Sequence, residues 1–435
     1  LEGVLLVLEK PHIGKNGKNI PPPKGEGPID YYLSSGGRSY KLKPLGNALE
    51  EFSSGVRLSV SGIVLDGQLV VSSVKAVRQK EMHARQMVRP NTGVQRIAVI
   101  LTKSSGQSGP SVPSLDRAMN IVNDYYKEAS YGKASLEWQV FGPYEFDDGA
   151  PSETTPNAFA HWQKVLDVAE READYSRYSI VVSVDERNQF KGLIGKPTWE
   201  TGDGSFALGL AFVTPDAFAG ELAAGRGLDK EKGVMHEIGH TFGLRHANFL
   251  NCGAKTIDEQ ANCTSEEYAD AFDVMGTGVG LHFNARHKEI IGWATAADGA
   301  ITEVASSGTF SVRPIEKPGD TPIALKIPRK DQFSGATGYY YLEYRVPTGF
   351  DSGISGIVRH NGPQLRITGV NNRGDTHLLN MRPGVIGDAG PPGSDPGIEP
   401  RQKLVDETNK VSIRTISATS ESAVVKVVFG DGQNC

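Results

Sequence analysis

The sequence is short of cysteine, of long apolar runs and of excess positive charge, and each shortage removes a class of answer. Three of its 435 residues are cysteine and none precedes Cys252, so no cysteine from the N-terminal half can staple a fold or occupy a metal. The longest apolar stretches, Ile97 to Leu101 and Phe206 to Val213, fall far short of the roughly 20 residues that cross a bilayer as a helix. No membrane span is expected. Lys and Arg total 46 against 51 Asp and Glu, a formal net charge of -5, and binding to phosphate backbones or anionic lipid needs clustered basic residues. Nucleic acid is therefore not an expected partner. The chain opens on LEGVLLVLEK, which lacks an initiator Met, a basic leader and a small-residue cleavage site and so reads as a strand. A secretory signal already removed is compatible with that opening.

What is present is the composition of a folded, turn-rich protein, with 38% hydrophobic residues, 22% charged residues and 51 glycines. The length exceeds what one hydrophobic core usually organises, so two or three domains are expected. Residues 1 to 78 hold short alternating runs, YYLSSGGRSYKLKPL, VRLSVSGIVL and QLVVSSVKAV, the pattern of a small β-barrel-like domain or a sandwich. Residues 79 to 93, QKEMHARQMVRPNTG, are polar and aperiodic and read as a linker. From 94 to 298 strands and helices alternate. VQRIAVILT is a buried-type strand, Leu115, Ala118, Met119, Val122 and Tyr126 form one helix face with Ser114 as N-cap, and Phe159, Trp162, Leu166 and Ala169 form another. From 299 to 435 the chain returns to strands, among them GTFSVRPI, GYYYLEYRV, SGIVRH and AVVKVVF, which suggest a β-sandwich. The fold class expected is thus α+β, with a mixed sheet and helices between two β-rich flanks. The Pro- and Gly-crowded stretch 383 to 400 is too short for a triple helix and is expected to be a surface loop.

The densest chemistry is His236-Glu-Ile-Gly-His240-Thr-Phe-Gly243-Leu-Arg-His246. Two histidines four apart project from one helix face, where their imidazoles converge on a tetrahedral ion, and zinc is the cofactor this donor set calls for. Glu237 stands one residue along, beside the ion without having to ligate it. A zinc-bound water ionises near neutral pH, which makes Glu237 the expected general base. Gly243 ends the helix in the sharp turn that returns His246 to the ion, a turn that positive φ makes easy. The alternative, a histidine-bearing core helix without metal, needs the glycine and third histidine to coincide by chance.

These eleven residues match the metzincin pattern HExxHxxGxxH. Asp273-Val274-Met275-Gly276 follows and is similar to the Met-turn, whose methionine lies beneath the ligands. YADAFDVMG with HFNARHKEIIGW, and upstream YYKEASYGKASLEW, resemble the gametolysin-like metallopeptidases over much of 94 to 298. The resemblance implies a metzincin-type zincin domain acting as an endopeptidase, with proteins or peptides, such as matrix or cell-wall glycoproteins, as substrates. It also implies that Gly209, Leu210 and Ala211 belong to the edge strand that binds extended substrate, an interior strand being the alternative. Thr277 stands where some metzincins place a tyrosine, so no tyrosine ligand is expected there. Asn284, His287 and Lys288 are assigned to architecture, and His282 to a loop. Residues 1 to 93 sit where relatives carry a propeptide and are expected to confer latency or to assist folding.

Cys252 and Cys263 lie close together in a Gly-, Asn- and Asp-bearing loop and are expected to form a disulfide, which points to an oxidising compartment and secretion. Asp147-Asp148 and Asp185-Glu186 are acidic pairs open to Ca2+, though solvated loops account for them without it. Arg373-Gly374-Asp375 spells an adhesion tripeptide but also fits a tight turn. An alternative function, matrix or cell-surface binding through the C-terminal β domain, would survive loss of zinc. A monomer is expected.

Overall fold

The computed structural model describes residues 1–9, 29–35, 38–45, 48–49, 52, 56–65, 67–76, 90–104, 106, 112–145, 157–186, 191–202, 204–218, 231–258, 262–276, 282–330, 337–356, 362–368, 376–383 and 396–430. Most of the expected linker, Asp147-Asp148, Thr277, the Arg373-Gly374-Asp375 tripeptide and residues 384–395 of the Pro/Gly-rich stretch lie outside the described residues. The chain divides into two compact units. One comprises Leu1–Lys127 and Lys133–Leu244, the other Glu128–Gly132 and Arg245–Cys435. The division differs from the segments expected at 78 and 298. The first barrel shares a unit with the strands that follow it, and residues 245 to 298 go with the C-terminal strands.

In the first unit, β1 (Glu2–Glu9), β2 (Ile29–Ser35), β3 (Arg38–Pro44), β4 (Arg57–Leu65) and β5 (Gln68–Ala76) close into a barrel in the order β1-β2-β3-β5-β4. Alternation fills it: Leu5 and Val7 from β1, Leu58 and Val60 from β4, and Leu69 and Val71 from β5 point inward two residues apart. Closure leaves the barrel without a free edge.

Next come β6 (Gly93–Lys103), α1 (Val112–Ala129), β7 (Ala134–Glu145), α2 (Asn157–Ala169), β8 (Ile180–Val184), β9 (Lys191–Gly192), β10 (Thr198–Thr201), β11 (Gly204–Ala207), β12 (Gly209–Val213) and α3 (Glu231–Thr241). The five-stranded sheet runs β7-β6-β8-β12-β9, all parallel except the last pair. Every residue of β8 and β12 is buried, as expected of parallel strands covered on both faces. Gly209, Leu210 and Ala211 therefore do not lie on an edge. β12 is held by β8 on one side and by β9 on the other, and its uninterrupted apolar run is the mark of that interior place. Among the described residues the edge on the β12 side of the sheet belongs to β9. Ser114 is not a cap either, since α1 begins at Val112 and places it inside the first turn.

In the second unit, β13 (Ala247–Asn251) and β14 (Thr264–Glu266) precede α4 (Ala285–Ile291), and then come β15 (Ile301–Glu303), β16 (Gly308–Val312), β17 (Ala324–Lys330), β18 (Thr337–Glu343), β19 (Gln364–Ile367), β20 (Thr376–Leu379), β21 (Lys403–Asp406), β22 (Val411–Ala418) and β23 (Ala423–Phe429). A seven-stranded sheet runs β14-β13-β20-β19-β18-β17-β15, and a four-stranded sheet runs β16-β23-β22-β21. Leu325, Ile327, Tyr340 and Leu365 of the first share one core with Ile413, Val425 and Val427 of the second. SGIVRH is not a strand where it is described, because Ser355 and Gly356 close a 3₁₀ helix. No helix among the described residues is long and apolar enough to cross a membrane.

Candidate metal centre

α3 packs against β12 and β9, and Tyr126 donates its hydroxyl proton to the Met235 carbonyl at 2.8 Å. The helix ends in a Schellman cap: Gly243 N–H donates to His240 O at 2.8 Å and Leu244 N–H to Gly239 O at 3.4 Å. Gly243 sits at φ 94°, where a Cβ would be strained. Past this reversal, one donor atom from each of His236, His240 and His246 lies within 4.8 Å of the others, and all three residues are buried. Among the described residues this is the one group of three or more metal-ligating side chains so arranged.

The outward nitrogens of two of these rings have defined acceptors. His240 Nδ1 lies 2.9 Å from the Leu244 carbonyl, and His246 Nδ1 lies 2.8 Å from Glu267 Oε1. A carbonyl and an ionised carboxylate only accept, so each Nδ1 carries the proton and each Nε2 keeps its lone pair for a metal. Glu237 is 5% exposed. Its Oε2 lies 4.0 Å from His240 Nε2 and has no hydrogen-bond partner among the described residues. Burial pushes the Glu237 carboxyl well above the usual range, and the charge of Lys191 opposes that rise. A buried oxygen without a donor requires a cation or a water to answer it, and a dication would favour the ionised form. Converging imidazoles beside such a carboxylate fit a zinc ion.

β9 comes close to α3 because residue 192 is glycine: a Cβ there would stand 2.5 Å from Glu237 O and 2.7 Å from His240 Cβ. Gly195 N–H then donates to His240 O at 2.9 Å. Along this stretch Leu193 N–H donates to Leu210 O of β12 at 2.9 Å, whereas Ile194 N–H donates away from the sheet, to Val7 O of the barrel, at 3.3 Å.

In the second unit Met275 is fully buried, and its carbonyl accepts from Ala247 N–H at 3.0 Å. Asp273 holds the turn: Oδ1 accepts from Met275 N–H at 2.7 Å, and Oδ2 accepts from Asn284 N–H at 2.6 Å and from His287 Nδ1 at 3.0 Å. Asn284 caps α4 by accepting from His287 N–H. Lys288 donates to Ala129 O at 2.6 Å, and burial, with Arg345 adding to it, pushes its ammonium down to about 7. His282 is buried and bonded to Glu128 at 2.9 Å rather than loose in a loop. Cys252 and Cys263 form a disulfide. Asp185 is buried and accepts from the Thr102 hydroxyl.

Sequence reasoning picked out the histidines, Glu237, Gly243 and Met275, but missed Gly192, Ile194, Glu267, Tyr268 and the bonding of Asp273. None of those five stands at a fixed offset from the motif.

The family model of gametolysin peptidase M11 matches residues 112–371. No curated protein matches the sequence. Among solved structures, the archaemetzincin of Methanopyrus kandleri is similar at 15% identity, covering 46% of this chain and 93% of that one with a TM-score of 0.24. Metalloproteinase-II of Bacteroides fragilis is similar at 12% identity, covering 60% and 75% with a TM-score of 0.27.

Proposed function

Since the chain belongs to the gametolysin peptidase M11 family, and is with it a metallopeptidase, we propose that it is a metzincin-type zinc endopeptidase that cuts extracellular proteins and is made in a latent form. The observation that carries the reading is Glu237: a buried carboxylate oxygen with no hydrogen-bond partner among the described residues, 4.0 Å from Nε2 of His240. His236, His240 and His246 would hold the ion, which when bound acidifies water to near neutrality and polarises a carbonyl. Glu237 takes the proton of the attacking water and passes it to the leaving amine, the paired base and acid duty of one positioned carboxylate. Lys191 and Gly192 of β9 carry backbone on the side of the sheet away from β12, where an extended substrate would add as a strand whatever its side chains. Secretion is supported by the Cys252–Cys263 disulfide.

Latency is supported by Ile194. Its N–H bonds Val7 O, and its side chain, 1% exposed, belongs to the core of the barrel. The barrel's first strand thus meets the chain just past β9, next to where a substrate strand would add.

The test is cleavage of an unfolded protein by the proteolytically processed wild type and by Glu237→Gln. Loss of about 10²-fold or more in kcat is expected, with bound zinc unchanged. Equal cleavage by the two would overturn the reading.

A further inference from the structure

His246 is the ligand outside the helix, so the rigidity of α3 does not orient it. Two residues that no motif marks do. Glu267 Oε1 accepts from His246 Nδ1 at 2.8 Å, with the histidine side chain 1% and the glutamate 18% exposed. Tyr268 lays its ring on the imidazole, with centroids 3.6 Å apart and planes 35° from parallel. Tyr268 does this from a backbone φ of 61°, a left-handed conformation that a bulky residue rarely adopts and that persists only where the surroundings impose it. The imposing contacts are present: Tyr268 N–H donates to Asn248 Oδ1 at 3.1 Å, and two residues on Asp270 N–H donates to Ala247 O at 3.3 Å. Residues 267 to 270 are therefore pinned to the chain immediately after His246.

We propose that Glu267 and Tyr268 are the positioning residues of the third metal ligand. Glu267 fixes the Nδ1–H tautomer, which leaves Nε2 as the only basic nitrogen and makes it more basic. Tyr268 fixes the plane in which that nitrogen points. A histidine ligand on a turn has two tautomers and two ring flips available, and one acceptor plus one stacking face removes the wrong choices before metal arrives. The strain at Tyr268 marks the cost of placing an aromatic ring there. Both act through His246.

The inference rests on the reading of the triad as a zinc site, and the experiment separates the two. Zinc affinity is measured by chelator competition on the full chain for wild type, Glu267→Ala, Glu267→Gln and Tyr268→Gly, and the His246 tautomer is read from ring ¹⁵N shifts of the metal-free forms. The expected result is a zinc affinity about 10- to 100-fold lower in Glu267→Ala, with His246 passing from one Nδ1–H tautomer to a mixture. Glu267→Gln, whose amide oxygen still accepts, retains the tautomer and loses less. Tyr268→Gly, which relieves the backbone strain, keeps or gains thermal stability yet binds zinc more weakly. Wild type that binds zinc, with both Glu267 variants matching it in affinity and tautomer, would overturn the inference and leave the proposed function standing. Wild type that binds no zinc would overturn both. Should Glu267→Ala fail to fold, Glu267→Gln and Tyr268→Gly decide the matter by the same two readings.

Discussion

Asp273 shows how much a single side chain can organise. Its two oxygens answer the N–H groups of Met275 and Asn284 and the ring of His287, so three buried donors depend on it. Burial alone would raise its carboxyl, but the His287 charge and hydrogen bond, with the Asn284 and Met275 N–H groups, outweigh burial and hold it well below the ordinary value of 3.8. A carboxylate whose folded pKa is depressed stabilises the fold above its unfolded pKa, and that contribution is lost as pH falls through the folded value. Asp273→Asn should therefore cost about 3 kcal/mol or more at neutral pH, measured by urea unfolding. The gap from wild type should narrow below about pH 4; a gap that is small or independent of pH would contradict this role. The residues legible from sequence were those tied to one another by helical spacing: His236, Glu237 and His240 on one face, Gly243 at its end. Asp273 and Glu267 reach their partners through tertiary folding, and a lone carboxylate in a sequence carries no sign of what it will meet.

At the scale of elements, the long periodic segments were readable and the short ones were not. The barrel strands, β6, β8, α1 and α2 follow their apolar patterns. β9 has two residues and no period to read, and the apolar run of β12 reports burial on both faces rather than an edge. The consequence bears on regulation, because the barrel's contact falls beside β9. Ile194→Ala removes a buried side chain from the barrel core, a change that costs about 2–5 kcal/mol in comparable cores. Peptidase activity of the intact chain should then rise several-fold, while wild type gains activity only after limited proteolysis separates the barrel. Intact and processed wild type cutting a peptide equally fast would contradict latency.

Across the whole molecule, the two compact units depart from the sequence-based segments for a reason that local pattern cannot reveal. β13, which begins directly after His246, pairs in parallel with β20, Ala247 opposite Thr376 and Leu250 opposite Leu379. The strand following the zinc motif is thereby drawn into the C-terminal sheet. α+β character and a β-rich N-terminal segment were legible from alternation and apolar runs, but neither the closure of that segment into a barrel nor a parallel pairing across so long a stretch of chain leaves a trace in any one strand. The proposed chemistry stands or falls on three imidazoles of this chain holding one zinc ion. Metal analysis with zinc X-ray absorption on the purified protein tests it directly. About one zinc per chain in an imidazole-rich shell is predicted, retained in Glu237→Gln and lost when His236, His240 and His246 are together replaced by Ala. Zinc that stays bound without the three histidines, or proteolysis undiminished in strong chelator, would contradict it.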